Sequence, residues 1–229
     1  MAVMHVDRIA DGLWRWTAPH PAWSDDPANP YGGWDRDVAC VYHEAPDGIV
    51  LIDPLVPDGD DADRFWRHLD QDVERVGLPP TVIVTTAWHG RSADAVRARY
   101  PGARVLGVSD EASCTLDALL EDGQLLPGGC RVTLTDAPGE GRMAILQCAC
   151  HGLLWLADLA IDDGSGGLRR PPASWFDDPA ARRWIEHGLP LLMPHLLEYP
   201  IEHLVPSHGP VVSVDARAAL ERALDVPMA

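Results

Sequence analysis

The spacing of apolar and polar positions changes period several times along the chain. "GLWRWTA" (12–18) and "VACVYHEAPDGIVLIDPLV" (38–56) are dominated by β-branched, aromatic and aliphatic residues, and "APDG" interrupts the second run. This pattern predicts strands, with the second run folded into a hairpin. In "DGDDADRFWRHLDQDVERVG" the apolar residues Phe65, Leu69, Val73 and Val76 recur at helical spacing, acidic residues crowd the first turn, and Gly77 supplies a stop. "TVIVTTA" (81–87) reads as a buried strand, "SADAVRARYPG" (92–102) as a short helix with Ser92 as its N-cap, and "ARVLGV" (103–108) as a further strand. Such a β-α-β order predicts parallel pairing with a helix covering the sheet.

Strand character returns in "RVTLTDAPGE" (131–140) and "MAILQCACHGLLWLADLAI" (143–161), with "CHG" at a hairpin turn. Residues 162–179, rich in Gly, Pro and Asp, predict a surface loop. Helices around "ARRWIEHG" and "LPLLMPHLLEY" follow, then a strand "IEHLVP" and a closing helix "VDARAALERAL" capped by Asp215 or an adjacent residue. With no linker and no internal repeat, the 229 residues form a single domain in this reading.

Composition narrows the function classes. No run reaches the roughly 18 apolar residues of a membrane span, and "MAVMHVDRIADG" lacks the charged-then-apolar pattern of a signal peptide. A cytoplasmic protein is the expectation. Five cysteines (Cys40, Cys114, Cys130, Cys148, Cys150) are an odd, scattered set, so reduced thiols are expected rather than a disulfide framework. The formal net charge is -17, and all 18 basic residues are arginine. Such a surface repels phosphate backbones and anionic membranes, which leaves a small-molecule substrate or ligand as the expected partner.

The stretch "VIVTTAWHGRSAD" (82–94) carries the first candidate chemistry: a strand ends in two threonines, and His89, Arg91 and Ser92 follow. With "DGIVLIDPLV", "APGEGRMAIL", "LLWLADLAI" and "HLVPSHGP", it resembles, in the same order, the conserved segments of the metallo-β-lactamase superfamily. The resemblance runs along most of the chain and implies an α/β (α+β) four-layer αββα sandwich. It also implies that ligands have been lost. The family's H-x-H-x-D-H loop falls on Ala87, His89, Arg91 and Ser92; its next His falls on Glu140, its bridging Asp on Asp158 and its final His on His208.

Two cations about 3.5 to 4 Å apart need more anionic and imidazole ligands than this set supplies, and arginine stays protonated. The resemblance therefore implies no dinuclear centre. His89, Glu140, Asp158 and His208 remain as ligands for at most one divalent ion (Zn, Mn or Fe), with Asp158 and Arg91 as catalytic candidates, Arg91 stabilising an oxyanion. Without metal, Arg91 would instead pair with Asp158 and Glu140. The aromatic segment near 14–37 (Trp14, Trp16, Trp23, Tyr31, Trp34) would form a flap, and Trp34, Trp88 and Ser92 are candidate substrate contacts.

Plainer readings stand beside these. His89 and His208 are also explained as hydrogen-bonded loop residues, Ser92 as an N-cap, Asp53 as loop support and "CACH" (148–151) as core and turn packing. Two functions follow: a metallo-β-lactamase-like hydrolase acting through at most one metal ion on a small ester, thioester, lactone or amide, or a catalytically silent relative that binds a small molecule or protein partner without metal.

Overall fold

A computed structural model describes residues 4–26, 35–139, 141–172, 175–176 and 178–225. Seven strands build the first sheet in chain order: β1 (His5–Ala10), β2 (Leu13–Pro19), β3 (Asp37–Ala45), β4 (Gly48–Ile52), β5 (Thr81–Val84), β6 (Arg104–Gly107) and β7 (Ala118–Leu119). Pairing is antiparallel from β1 to β4 and parallel from β4 to β7. The crossovers carry α1 (Asp60–Val76) and α2 (Ala93–Arg99), as the β-α-β spacing predicts. Gly77 ends α1 in the left-handed conformation at φ 74°, a backbone state that glycine adopts without steric cost.

The second sheet contains β8 (Leu125–Leu126), β9 (Cys130–Ala137), β10 (Gly141–Cys148) and β11 (Leu153–Trp155). A small two-stranded ribbon, β12 (Ile161–Asp162) with β13 (Leu168–Arg169), then precedes β14 (His203–Val205), which returns to lie parallel beside β11. Between them, α3 (Pro179–Arg183) runs through a π turn and a 3-10 turn into α4 (Met193–Leu196); α5 (Ala216–Asp225) closes the fold.

Side chains alternate across each strand, and both faces of both sheets are covered. Val41, Val50, Ile52 and Ile83 of the first sheet meet Val132, Leu146, Trp155 and Val205 of the second in a buried middle layer. Their neighbours Tyr42, Ile49, Leu51 and Val82 point outward onto Leu69 of α1 and Val96 of α2. Met143, Ile145, Leu154 and Leu204 face Ile185, Leu189, Leu196 and Leu220 of the other helical layer. The period-two pattern with both parities apolar accounts for the cover on both faces of each sheet.

Two expectations are corrected here. Cys130 and Cys148, opposite each other in the β9–β10 ladder, form a disulfide, while Cys40, Cys114 and Cys150 are free. The odd cysteine count concealed a cross-strand pair, because register was invisible in the sequence. The aromatic segment is not one flap either. Trp14 and Trp16 belong to β2, and Trp16 is core: it packs on Phe65 with ring centroids 5.3 Å apart and donates from Nε1 to the Leu55 carbonyl at 2.9 Å. Tyr31 and Trp34 lie outside the described residues. Among the described residues, no helix is long and apolar enough to cross a membrane.

Candidate functional site

Four strands run parallel in pairs, β4 with β5 and β11 with β14, and the segments leaving them converge at one end of the sandwich. Asp53 follows β4, His89 follows β5, Asp158 follows β11, and Ser207 and His208 follow β14. The edge of β3 joins them: Val38 bridges His208, and the Ala39 N–H donates to the Ser207 carbonyl at 2.8 Å. Such a crevice beyond strand carboxyl ends is where open α/β sheets place ligands. Asp53, Arg91 and Ala157 all adopt positive φ (47°, 31° and 48°) in these loops. Non-glycine residues held there are strained, and such strain concentrates at functional sites.

His89 is the centre of a buried chain of charges. Its Nδ1 lies 2.8 Å from the Asp53 carboxylate, and its Nε2 lies 3.2 Å from Asp158 Oδ2. Asp53 is itself held by Thr85, whose backbone N–H donates to Oδ1 at 2.7 Å and whose hydroxyl donates to Oδ2. Asp158 accepts further hydrogen bonds from the Ser207 hydroxyl and from Trp88 Nε1 at 3.1 Å, and its Oδ1 lies 3.8 Å from His208 Nε2.

The electrostatics follow from these distances. Burial and the nearby Arg91 charge both oppose protonation of His89, yet the two carboxylates on its ring nitrogens outweigh them and raise its pKa. Burial pushes Asp158 upward, but His89, His208 and the Ser207 hydroxyl hold it well below the usual carboxylate range. His208 is lowered, mainly by burial. The result is an imidazole ring held between two carboxylates.

Several expected site residues occupy different roles. Arg91 does not pair with Asp158. Its Nη1 donates to the carbonyls of Ala39 and Asp53, each at 3.1 Å, so one face of the guanidinium braces β3 against β4. The positive φ of its own backbone accompanies that inward turn. Ser92 stands at the N-cap of α2 as expected, but its Oγ accepts from the Val56 N–H at 2.9 Å instead of capping the helix, and it has no part in the His89–Asp158 chain. Trp88 joins the cluster directly, and Asp53 is the support that "LIDP" suggested. Trp34 and Glu140 lie outside the described residues.

One participant escaped the sequence reading. His20, just beyond β2, is half-buried, and its pKa is lowered to about 4 by burial and then by the charges of Arg91, His89 and His208. Its only sequence signal was a lone histidine between two prolines. The described cluster is two imidazoles, His89 and His208, on Asp158, with Asp53 behind.

No protein-family profile matches the sequence, and no curated protein is similar to it. Solved structures do match. The DIM-1 metallo-β-lactamase exposed to ceftazidime superposes with a TM-score of 0.68 at 9% identity, covering 97% of this chain and 96% of that one. A metallo-β-lactamase from Pontibacter korlensis gives 0.63 at 15% identity, covering 97% and 99%. The chain has the metallo-β-lactamase fold. The metal-soaked flavodiiron core Flv1 from Synechocystis sp. PCC6803 shares that fold, with a TM-score of 0.64 at 16% identity over 97% of this chain and 60% of the other.

The metallo-β-lactamase fold implies metal ions, and the residues present discriminate between one and two. A pair does not fit: Ala87 offers no ligand atom, Arg91 brings a fixed positive charge, and Ser92 Oγ is committed to Val56. What remains is two imidazoles and a carboxylate, donor types that suit a divalent ion. His89 Nε2 and His208 Nε2 flank opposite oxygens of Asp158, and Asp53 holds His89 from behind, as outer carboxylates orient metal-ligating imidazoles.

Proposed function

We propose that this chain is a metallo-β-lactamase-fold hydrolase whose site takes at most one divalent ion, Zn, Mn or Fe, and acts on a small ester, thioester, lactone or amide. One observation supports it above others: His89 and His208 present Nε2 atoms 3.2 and 3.8 Å from the two oxygens of one carboxylate. A two-imidazole, one-carboxylate set matches catalytic sites that keep a position open. An ion held there supplies Lewis acidity to the substrate's carbonyl.

The chain's own groups do the positioning. Asp53 fixes the His89 ring and keeps its Nε2 turned toward Asp158. Arg91, anchored on backbone carbonyls, contributes a fixed positive charge that favours developing negative charge on a substrate oxygen. Trp88 leaves much of its indole exposed beside the cluster, a surface on which an apolar substituent can rest. Water is consumed as the acyl bond breaks, giving a carboxylic acid and an alcohol, thiol or amine.

A second reading rests on a different observation. Asp158 already receives the Ser207 hydroxyl, the Trp88 indole N–H and His89, so the pocket is electrostatically satisfied without an ion. That would suit a silent fold member binding a small molecule. Metal analysis separates the two. About one equivalent of metal in protein purified without chelator, lost in His89→Ala or His208→Ala together with hydrolysis of chromogenic esters and thioesters, is the expected result. Metal at background after adding Zn and Mn, with no hydrolysis, would establish the silent reading.

A further inference from the structure

A second cluster lies at the opposite end of the sandwich. His43 sits on β3 five residues beyond Val38, the residue that bridges His208, so roughly 17 Å of strand separates it from the first site. It is fully buried, and neither ring nitrogen meets a side-chain hydrogen-bond partner among the described residues; only the Gly128 backbone comes close. An unpaired buried polar group is costly, on the order of 1 to 3 kcal/mol, and calls for a physical explanation.

The surroundings of His43 are rich in metal-ligating atoms. The turn after β10 brings Cys150 and His151 beside it, and one ligand atom from each of the three residues lies within 4.8 Å of the others. The His43 and His151 rings meet edge to face, with centroids 5.0 Å apart. His151 is held in the useful tautomer: its Nε2 lies 2.8 Å from the Asp11 carbonyl, which can only accept, so Nε2 carries the proton. The lone pair then falls on Nδ1, which lies 3.4 Å from Cys150 Sγ. Ligands of a tetrahedral ion, bound at about 2.0 to 2.3 Å, stand about 3.3 to 3.8 Å apart, so this pair already has the required separation.

Gly128 shapes the third side. A Cβ there would fall 2.1 Å from His43 Nε2, so only a glycine leaves that nitrogen open. The Cys130 and Cys148 sulfurs also approach His43, but they are bonded to each other and are not counted as ligands.

We propose that His43, Cys150 and His151 form a binding site for one thiophilic metal ion of the Zn2+ class, separate from the His89–Asp158 site. Thiolate and imidazole together select such an ion, and exposed Cys150 gives it an entry path. Binding releases the Cys150 thiol proton to solvent as the sulfur–metal bond forms, and the bound ion clips the β10–β11 turn to β3 of the other sheet.

Cobalt is the probe, because a thiolate–cobalt bond gives a near-ultraviolet charge-transfer band that His and Asp ligands cannot produce. The full chain, stripped by chelator and handled without air or reductant so that Cys130–Cys148 stays bonded, should develop this band with about one equivalent of Co2+ and lose it on adding Zn2+. His208→Ala should retain it, Cys150→Ser should abolish it, and His151→Gln should weaken Co2+ binding at least tenfold. In wild type, Zn2+ should slow alkylation of Cys150, read by mass spectrometry, while leaving Cys114 unaffected. A missing band, a band that survives Cys150→Ser, or Cys150 alkylation unchanged by Zn2+ would overturn the proposal.

Discussion

Asp53 shows how much one buried carboxylate can hold. It receives the Thr85 N–H and hydroxyl on one side and His89 on the other, with no solvent exposure. Asp53→Ala leaves His89 partnered on one nitrogen only and the Thr85 N–H without its acceptor, a loss of about 3 to 5 kcal/mol for a broken buried charge pair. Urea denaturation should show it. Glu44 offers a gentler case with a pH signature. Arg75 binds both its oxygens and Tyr42 donates to it, so its carboxyl lies below the ordinary 4.5. A pKa depressed by folding stabilises the native state above the unfolded value and loses that contribution as pH falls through the folded one. Glu44→Gln should therefore cost roughly 1 kcal/mol at pH 7 and progressively less below about pH 4.5, so that wild-type and variant denaturation curves converge in acid.

Elements locate the site more than any motif does. The β-branched runs of β4, β5 and β6 and the helical spacing of Phe65, Leu69, Val73 and Val76 made the β-α-β unit legible, and with it the loops that carry Asp53 and His89. The β9–β10 hairpin was legible as two strands, but not its staple. Cys130 and Cys148 face each other only because the ladder pairs Gly141 with Ala137 and continues in strict register to its far end. The disulfide closes a loop with a sequence separation of 18, which in the chain-entropy account contributes about 3 kcal/mol. Reduction, or the double variant Cys130→Ala/Cys148→Ala, should lower the melting temperature by about 5 to 10 °C for a domain of this size. Equal melting curves with and without reductant would show that the pair contributes nothing in solution.

The whole molecule carries -17 formal charges on 229 residues. Its arginines are largely spent locally: Arg75 on Glu44 and Asp72, Arg99 on Asp70, Arg97 on Asp94 and Asp117, and Arg142 on Asp136. What remains is net self-repulsion, which opposes compaction and is screened over about 10 Å at 0.1 M salt. The melting temperature should rise with sodium chloride from low ionic strength and level off as the screening length approaches about 3 Å near 1 M. A flat or falling curve would show that the local pairs dominate instead.

The sequence by itself determined the layering. Strands apolar at both parities must be buried on both faces, and amphipathic helices between them must lie outside; that the layers are αββα was implied by the resemblance of the segments to the metallo-β-lactamase superfamily. Tertiary structure decided the partners. Arg91 turned to the Ala39 and Asp53 carbonyls rather than to Asp158, His89 and His208 came to one carboxylate, and His43 was sealed against Cys150 and His151. Periodicity reports which face of an element is buried; which polar atoms meet there depends on register and loop path, and neither is written in local spacing.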